Sequence, residues 1–309
     1  MRIVFMGTPE FAVPSLRILH ESSHTIAGVV TAVDKLGGRG GKQKLESAVK
    51  QYAVSEDIPL LQPPNLKDAG FLDDLRALKA DLQVVVAFRM LPRVVWDMPP
   101  IGTINLHGSL LPAYRGAAPI HRAIMNGETK TGVTTFFLKH EIDTGDILLQ
   151  RTLPIGPNDN VGDVHDRMME VGAQVVLESV NAIARGDYLL KPQDESLASP
   201  APKIYHETCA ISFNRPAAEV HNFVRGLSPF PAAWTTLGGD RLKILETHCE
   251  MIPHDYEPGT LVSDGKTVLK YACTDGFLHV TSLQLQGRKR MSTRDFLNGY
   301  DILPYASIV

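Results

Sequence analysis

Leu82-Gln83-Val84-Val85-Val86-Ala87 is an almost unbroken apolar run rich in β-branched residues. A strand covered on both faces reads this way, as the central strands of parallel sheets do. Residues on either side extend the pattern. Arg2-Ile3-Val4-Phe5-Met6 is a second short apolar run. Gly7-Thr8-Pro9-Glu10 then reads as a turn into a helix, with Thr8 at the cap and Pro9 at the first helical position. Residues 26–33 form a β-branched run. Leu45, Ala48, Val49, Tyr52 and Ala53 share one face of a 3.6-residue period, which predicts an amphipathic helix over residues 43–56. Further strands are predicted at 102–106, 133–138 and 146–153, and helices at 117–126 and 163–185. This alternation predicts an α/β fold with a doubly wound, mostly parallel sheet over residues 1–190.

After residue 190 the texture changes. Residues 191–203 contain Pro192, Pro200 and Pro202 among Ser, Asp and Glu, so 191–208 reads as a linker. Residues 209–309 hold one predicted helix, 216–226, followed by short β-like runs at 241–246, 259–262, 267–271 and 276–282. Strands this short, separated by Gly, Asp and Pro, predict a smaller β-barrel-like domain at the carboxyl end.

The whole chain has 309 residues, 44% of them hydrophobic and 21% charged, enough to bury two ordinary cores. Its longest apolar stretch falls far short of the ~18 residues that cross a bilayer, so no membrane partner is expected. The opening residues lack the basic-then-apolar layout of a secretory signal. Three cysteines without CxxC spacing, Cys209, Cys249 and Cys273, predict neither a disulfide framework nor a zinc site. His165, His206, His221, His248 and His254 show no metal-ligand spacing either. A reducing cytoplasmic setting is expected. The net charge of −3 means that any nucleic acid must be held by local patches.

Two stretches carry candidate chemistry. In Ile104-Asn105-Leu106-His107-Gly108, residues two apart share a strand face, so Asn105 and His107 project together while Leu106 points into the core. Both emerge where the strand ends, and ligands of open α/β sheets bind at such ends. Asp143-Thr144-Gly145-Asp146 is an acidic turn between two strands. An amide donor, an imidazole and a carboxylate can together serve acyl transfer. The same residues also suit turn formation and a core histidine, so spacing alone leaves function open.

The longer strings narrow the choice. Residues 105–119, NLHGSLLPAYRGAAP, with Thr131-Gly132-Val133-Thr134 and Ile142–Asp146, resemble the signature of the 10-formyltetrahydrofolate-dependent formyltransferases. The opening Gly7-Thr8-Pro9-Glu10-Phe11-Ala12 and the insert Asp34-Lys35-Leu36-Gly37-Gly38-Arg39-Gly40 extend the likeness. So do Ala201-Pro202-Lys203-Ile204 and Arg225-Gly226-Leu227-Ser228-Pro229-Phe230-Pro231. These last four point to the branch that formylates the methionyl group of initiator tRNA. The resemblance covers essentially the whole chain. It implies that Asn105, His107 and Asp143 are catalytic, with Asn105 and protonated His107 stabilising an oxyanion and Asp143 holding the imidazole and helping remove a proton.

It further implies that 10-formyltetrahydrofolate is the co-substrate, with no metal. The folate pocket would lie between Phe88-Arg89-Met90-Leu91, Ser109-Leu110-Leu111-Pro112 and Thr144-Gly145-Asp146. Many relatives have Gly where this chain has Arg89. Either the loop needs no left-handed residue there, or Arg89 lies over the pocket rim. The tRNA partner would be met by a basic loop with Lys35, Arg39, Lys42 and Lys44, and by Arg288, Lys289 and Arg290 in the carboxyl-terminal domain, whose fold resembles the oligonucleotide-binding barrel. Residues 209–309 are otherwise neutral, with ten basic and ten acidic side chains. A monomer is expected. Rival acceptors within the same family are an amino-sugar nucleotide and glycinamide ribonucleotide. A formyl-folate hydrolase, a non-catalytic tRNA-binding protein and a nicotinamide dehydrogenase are the other readings; Gly7-Thr8-Pro9 is too poor in glycine for the last.

Overall fold

The computed structural model describes residues 1–37 and 43–308. These form two compact units, each assembled from more than one stretch of chain: residues 1–116, 131–153 and 165–200 in the first, residues 117–130, 154–164 and 201–309 in the second. No helix among the described residues is long and apolar enough to cross a membrane.

The strands of the amino-terminal part are β1 (Arg2–Gly7), β2 (Thr25–Val30), β3 (Lys35–Gly37), β4 (Gln43–Leu45), β5 (Leu60–Leu61), β6 (Leu82–Val86), β7 (Gly102–His107), β8 (Lys130–Phe137) and β9 (Ile147–Pro154). Seven of them make one sheet in the order β5-β2-β1-β6-β7-β8-β9, while β3 and β4 form a separate antiparallel hairpin. From β5 to β7 every pairing is parallel; β8 joins β7 antiparallel. The chain leaves β1 for β2 on one side and returns to β6 on the other. In open α/β sheets such a reversal marks the place, at the carboxyl ends of the central strands, where ligands bind.

The helices that follow in chain order are α1 (Val13–His20), α2 (Ala48–Ser55), α3 (Ala69–Ala77), α4 (Arg93–Trp96), α5 (Pro119–Met125) and α6 (Val161–Arg185). The central strands are apolar on both faces because both are covered. Val4, Met6 and Val85 pack on one side with Phe71 and Leu75 of α3. Ile3, Phe5, Val84 and Val86 are fully buried. Leu106 meets α6 at Gly172, where an added Cβ would lie 2.7 Å from the leucine side chain. The hydroxyls of Thr135 and Ser179, 2.6 Å apart, join β8 to the same helix.

Two local expectations need correction. The helix predicted over 43–56 is shorter. Gln43–Leu45 pairs instead with Lys35–Gly37, and Ser47 caps a helix that begins at Ala48 by accepting the Lys50 amide at 3.0 Å. The hydrophobic period continues into 43–45, but the capping serine marks where the helix can start. At the first turn, Pro9 rather than Thr8 takes the cap, and a 3-10 turn at Glu10–Ala12 precedes α1.

The carboxyl-terminal part adds α7 (Ala217–Arg225), β10 (Ala233–Leu237), β11 (Asp240–Glu250), β12 (Leu261–Ser263), β13 (Leu269–Ala272), β14 (Phe277–Leu285), β15 (Met291–Ser292), α8 (Thr293–Asn298) and β16 (Ser307–Ile308). The strands make a curled, half-barrel sheet in the order β10-β11-β14-β13-β12-β16, with β15 on β14, antiparallel except where β16 joins β12. Register shifts at Ile244–Thr247 bend the long strand β11. One core lies under this sheet, where Val220 and Val224 of α7 pack with Leu242, Ile244, Leu278 and Phe296.

Candidate active site

Strand β7 is buried between β6 and β8, so its alternation decides where polar side chains go. Ile104 and Leu106 face α6; Asn105 and His107 take the opposite face, opposite Phe136 and Thr134 of β8. Asn105 is half-buried, and its amide makes no side-chain hydrogen bond among the described residues. His107 is only 6% exposed. Its Nε2 lies 2.8 Å from the Tyr114 carbonyl, which can only accept, so Nε2 carries a hydrogen. That leaves Nδ1 facing the Asp143 carboxylate, 3.7 Å from Oδ2.

Two backbone conformations create this arrangement. Tyr114 (φ 61°) and Asp143 (φ 55°) both sit in the left-handed region. The first aims a carbonyl back at the imidazole; the second turns a carboxylate inward. The Gly116 amide donates to Asp143 Oδ2 at 2.9 Å. Gly145 lets the acidic turn run against β8, since a Cβ there would lie 1.7 Å from the Phe137 carbonyl oxygen. The structure thus sets the His107 and Asp143 side chains beside one another at the carboxyl end of β7, with Asn105 on the same strand face. Protonation at Nδ1 would be matched by the adjacent carboxylate. The resulting imidazolium and the Asn105 amide could stabilise negative charge on a reacting oxygen, with Asp143 available to take a proton.

The walls predicted for a folate are of two kinds. The segment 109–112 is rigid. Ser109 Oγ donates to the Ala113 carbonyl at 2.6 Å, and Thr134 Oγ1 donates to the Ser109 carbonyl at 2.7 Å while accepting the Leu111 amide at 3.1 Å. Gln150 Nε2 reaches the Leu111 carbonyl at 2.8 Å. The segment 88–91 is the reverse: its main-chain N–H and C=O groups make no backbone hydrogen bond among the described residues. Phe88 is half-buried, Met90 is exposed and Leu91 is buried. Leu138 packs both on the cluster containing Leu91 and on Leu111, Phe136 and Ile147. Open main-chain polar groups beside apolar side chains fit a flat heterocycle with hydrogen-bonding edges. Arg89 lies outside the left-handed region, which Ala87 occupies instead (φ 49°). Its guanidinium donates to the carbonyls of Pro63 and Pro64 and stacks on Phe88. Thr144 Oγ1 bonds the Glu141 carbonyl, and Asp146 pairs with Lys139 at 2.8 Å.

The basic candidates behave unequally. Arg39 and Lys42 lie outside the described residues. Lys35 is exposed and makes no ion pair among them. Lys44 is bound twice, to Asp34 at 2.9 Å and Glu46 at 3.1 Å, and Lys50 holds the same two acids at 2.6 and 2.9 Å. The lysines hold the Asp34 carboxyl well below the usual carboxylate range, Lys50 foremost, and Asp34 in turn raises Lys44. In the second unit Arg290 is tied to Glu246 and Ser282, Arg288 stacks on Tyr300, and Lys289 is exposed.

Sequence reasoning missed Tyr114, Thr134 and Gln193. Tyr114 acts through a carbonyl, which no side-chain pattern reports. Thr134 stands in the Thr131–Thr134 string with nothing in the sequence to show that its hydroxyl binds the backbone of Ser109 and Leu111. Gln193 lay in a stretch read as linker, yet its Nε2 donates to the carbonyls of both Asp143 and Gly145 at 2.8 Å. Arg115 holds the other end of that amide and pairs with Glu195, which raises the guanidinium further above its usual range and lowers Glu195.

Comparison with known proteins identifies relatives along the whole chain. The formyl transferase family matches residues 1–180, and the formyl transferase carboxyl-terminal domain matches residues 203–301. A methionyl-tRNA formyltransferase of Parabacteroides distasonis is 54% identical over 310 residues, covering 97% of this chain and 96% of its own. One from Bacteroides fragilis is 51% identical, covering 98% and 96%. Among solved structures, an N-formyltransferase from Helicobacter canadensis in complex with folinic acid and dTDP-3-aminofucose superposes with a TM-score of 0.68. It is 20% identical and covers 90% of this chain and 97% of its own, a likeness of fold.

Proposed function

Because the chain belongs to the formyl transferase family, we propose that it moves a formyl group from 10-formyltetrahydrofolate to the α-amino group of methionyl initiator tRNA. The observation that carries this reading is the match, along nearly the full length of both chains, to relatives bearing that activity in their names. The product is formylmethionyl-tRNA, which serves translation initiation.

Asn105, His107 and Asp143 take the chemical roles. As the amine adds to the formyl carbon, negative charge collects on the formyl oxygen. The Asn105 amide and the Nδ1–H of protonated His107 stabilise it. Asp143, beside the imidazole, accepts the proton that the amine must lose, and that proton passes to the folate nitrogen as its bond to the formyl carbon breaks and tetrahydrofolate departs. The loop 88–91 with its open main-chain groups and the rigid segment 109–112 hold the folate, and the turn at Thr144, Gly145 and Asp146 closes the third side. Lys35, Arg39 and Lys42, with Lys289 and its neighbours, meet tRNA phosphates. The protein works as a monomer in the cytoplasm and needs no metal.

The test offers purified protein 10-formyltetrahydrofolate with methionyl initiator tRNA, methionyl elongator tRNA, glycinamide ribonucleotide or an amino-sugar nucleotide. Formylation of the initiator tRNA is expected to exceed the others by orders of magnitude. Formylation of the sugar or the ribonucleotide, with tRNA untouched, would overturn the acceptor.

A further inference from the structure

We propose that residues 191–199 are a strap that sets the geometry of the His107–Asp143 pair, with Gln193 as its principal positioning residue. This rests on the formyl-transfer reading given above. His107 is held at its two nitrogens by groups from two different loops: the Tyr114 carbonyl at Nε2 and the Asp143 carboxylate near Nδ1. Both loops depend on a non-glycine residue in a left-handed conformation, which persists only where the surroundings over-determine it. The strap supplies that determination to both.

At the acidic turn, the Gln193 amide donates one hydrogen to the Asp143 carbonyl and the other to the Gly145 carbonyl, both at 2.8 Å. The turn therefore cannot rotate without breaking two bonds to one rigid group. Arg115 fixes that amide from behind. Its Nε and Nη2 donate to Gln193 Oε1 at 3.0 and 2.7 Å, and Glu195 grips the guanidinium with both carboxylate oxygens at 2.8 and 2.7 Å. At the other loop, Ser199 Oγ accepts the Tyr114 amide at 2.9 Å, and the Ser199 carbonyl accepts the Arg115 amide at 2.8 Å. The two backbone bonds between Lys191 and Ile147, at 2.8 and 2.9 Å, anchor the start of the strap. A side chain from one short segment thus touches the backbone of each residue that faces the imidazole.

Gln193 touches neither the folate nor the amine in this scheme; it acts through Asp143. Gln193→Ala is expected to lower kcat for formyl transfer about tenfold to a hundredfold, the cost of a small misplacement of a reacting group. KM for either substrate should stay within about threefold, and the thermal midpoint close to the parent's. Gln193→Glu, which keeps the shape but sets a carboxylate against two carbonyls, should lose as much. Repeated in an Asp143→Asn background, Gln193→Ala should cost less than about threefold, because the group it positions no longer serves. Amide hydrogen exchange across 143–146, which needs no turnover, should rise in Gln193→Ala. Turnover within twofold of the parent overturns the strap; so does a loss undiminished beside Asp143→Asn, or unchanged exchange at 143–146. Should the parent formylate a different acceptor, the same cycle runs on that acceptor. Should it formylate none, the formyl-transfer reading fails while the exchange measurement still decides the strap.

Discussion

The tip of β7 and the hairpin β3–β4 both owe their interest to charged side chains near one another, yet they use charge in opposite ways. At the strand tip, one imidazole and one carboxylate are nearly buried, 7% and 14% exposed, and stand 3.7 Å apart. They are too far apart for a hydrogen bond. Each is held by neutral backbone groups, the Tyr114 carbonyl and the Gly116 amide. At the hairpin, each of two lysines lies within 3.1 Å of both of two acids, so that the charges neutralise one another. The first pair keeps chemical capacity in reserve; the second spends it on structure. A cluster of ionisable residues is therefore a candidate site only when something other than its own members orients them.

The contrast predicts its largest effect at the strand tip. His107→Ala and Asn105→Ala should each lower turnover by about 10²–10⁴-fold, the range for a positioned acid or an oxyanion donor. Stability should fall by only ~1–3 kcal/mol for His107→Ala, the penalty for leaving the Tyr114 carbonyl unpaired. Steady-state kinetics beside urea unfolding separate the two. Activity that falls only in step with the unfolded fraction would make His107 a core residue and erase the contrast.

A smaller effect sharpens the hairpin side. Lys35 makes no ion pair among the described residues, whereas Lys44 is already neutralised. Lys35→Ala should weaken tRNA binding about threefold to tenfold at low salt and reduce the slope of log K against log salt by about 1. Lys44→Ala should change that slope less, and neither should alter folate binding. Equal slopes for the two variants would show that the clasp formed by Lys44 and Lys50 with Asp34 and Glu46 opens when RNA arrives.

Much of this was legible in the chain. The run Leu82–Val86 announced a central strand because both its faces are covered, and Asn105 and His107 could be placed on one face by alternation alone. Gly145 stands where only a glycine lets the turn approach β8. What stayed hidden depends on backbone carbonyls and on residues distant in sequence. Tyr114 contributes an oxygen that every residue has. Gln193 sits among prolines whose reading as linker was sound as far as local preference goes, since prolines forbid helix without forbidding long side chains from bridging two loops. The helix boundary at Ala48 was obscured because the apolar period runs through both the hairpin and the helix, and only Ser47 marks the change.

The smallest prediction concerns the clasp itself and turns on sign. Asp34 and Glu46 titrate below their ordinary values in the folded chain, because Lys50 and Lys44 favour the ionised forms, and Lys44 titrates above its own. A depressed carboxyl stabilises the fold fully above its unfolded pKa, about 3.9 for Asp, and that contribution begins to fall there and is lost only as pH drops through the lower folded value. A raised lysine contributes below its unfolded value of about 10.4 and is lost as pH rises through its folded one. The clasp is therefore complete between roughly pH 5 and pH 9, and it is partly exposed, so its effect is modest and screened by salt. Asp34→Asn should lower the urea midpoint slightly at pH 7, with the difference from the parent narrowing towards pH 3 and also in high salt. A difference that stays constant from pH 7 to pH 3 would mean that Asp34 acts through its hydrogen bond from Gln62, 3.0 Å away, and that the hairpin is held by geometry rather than charge.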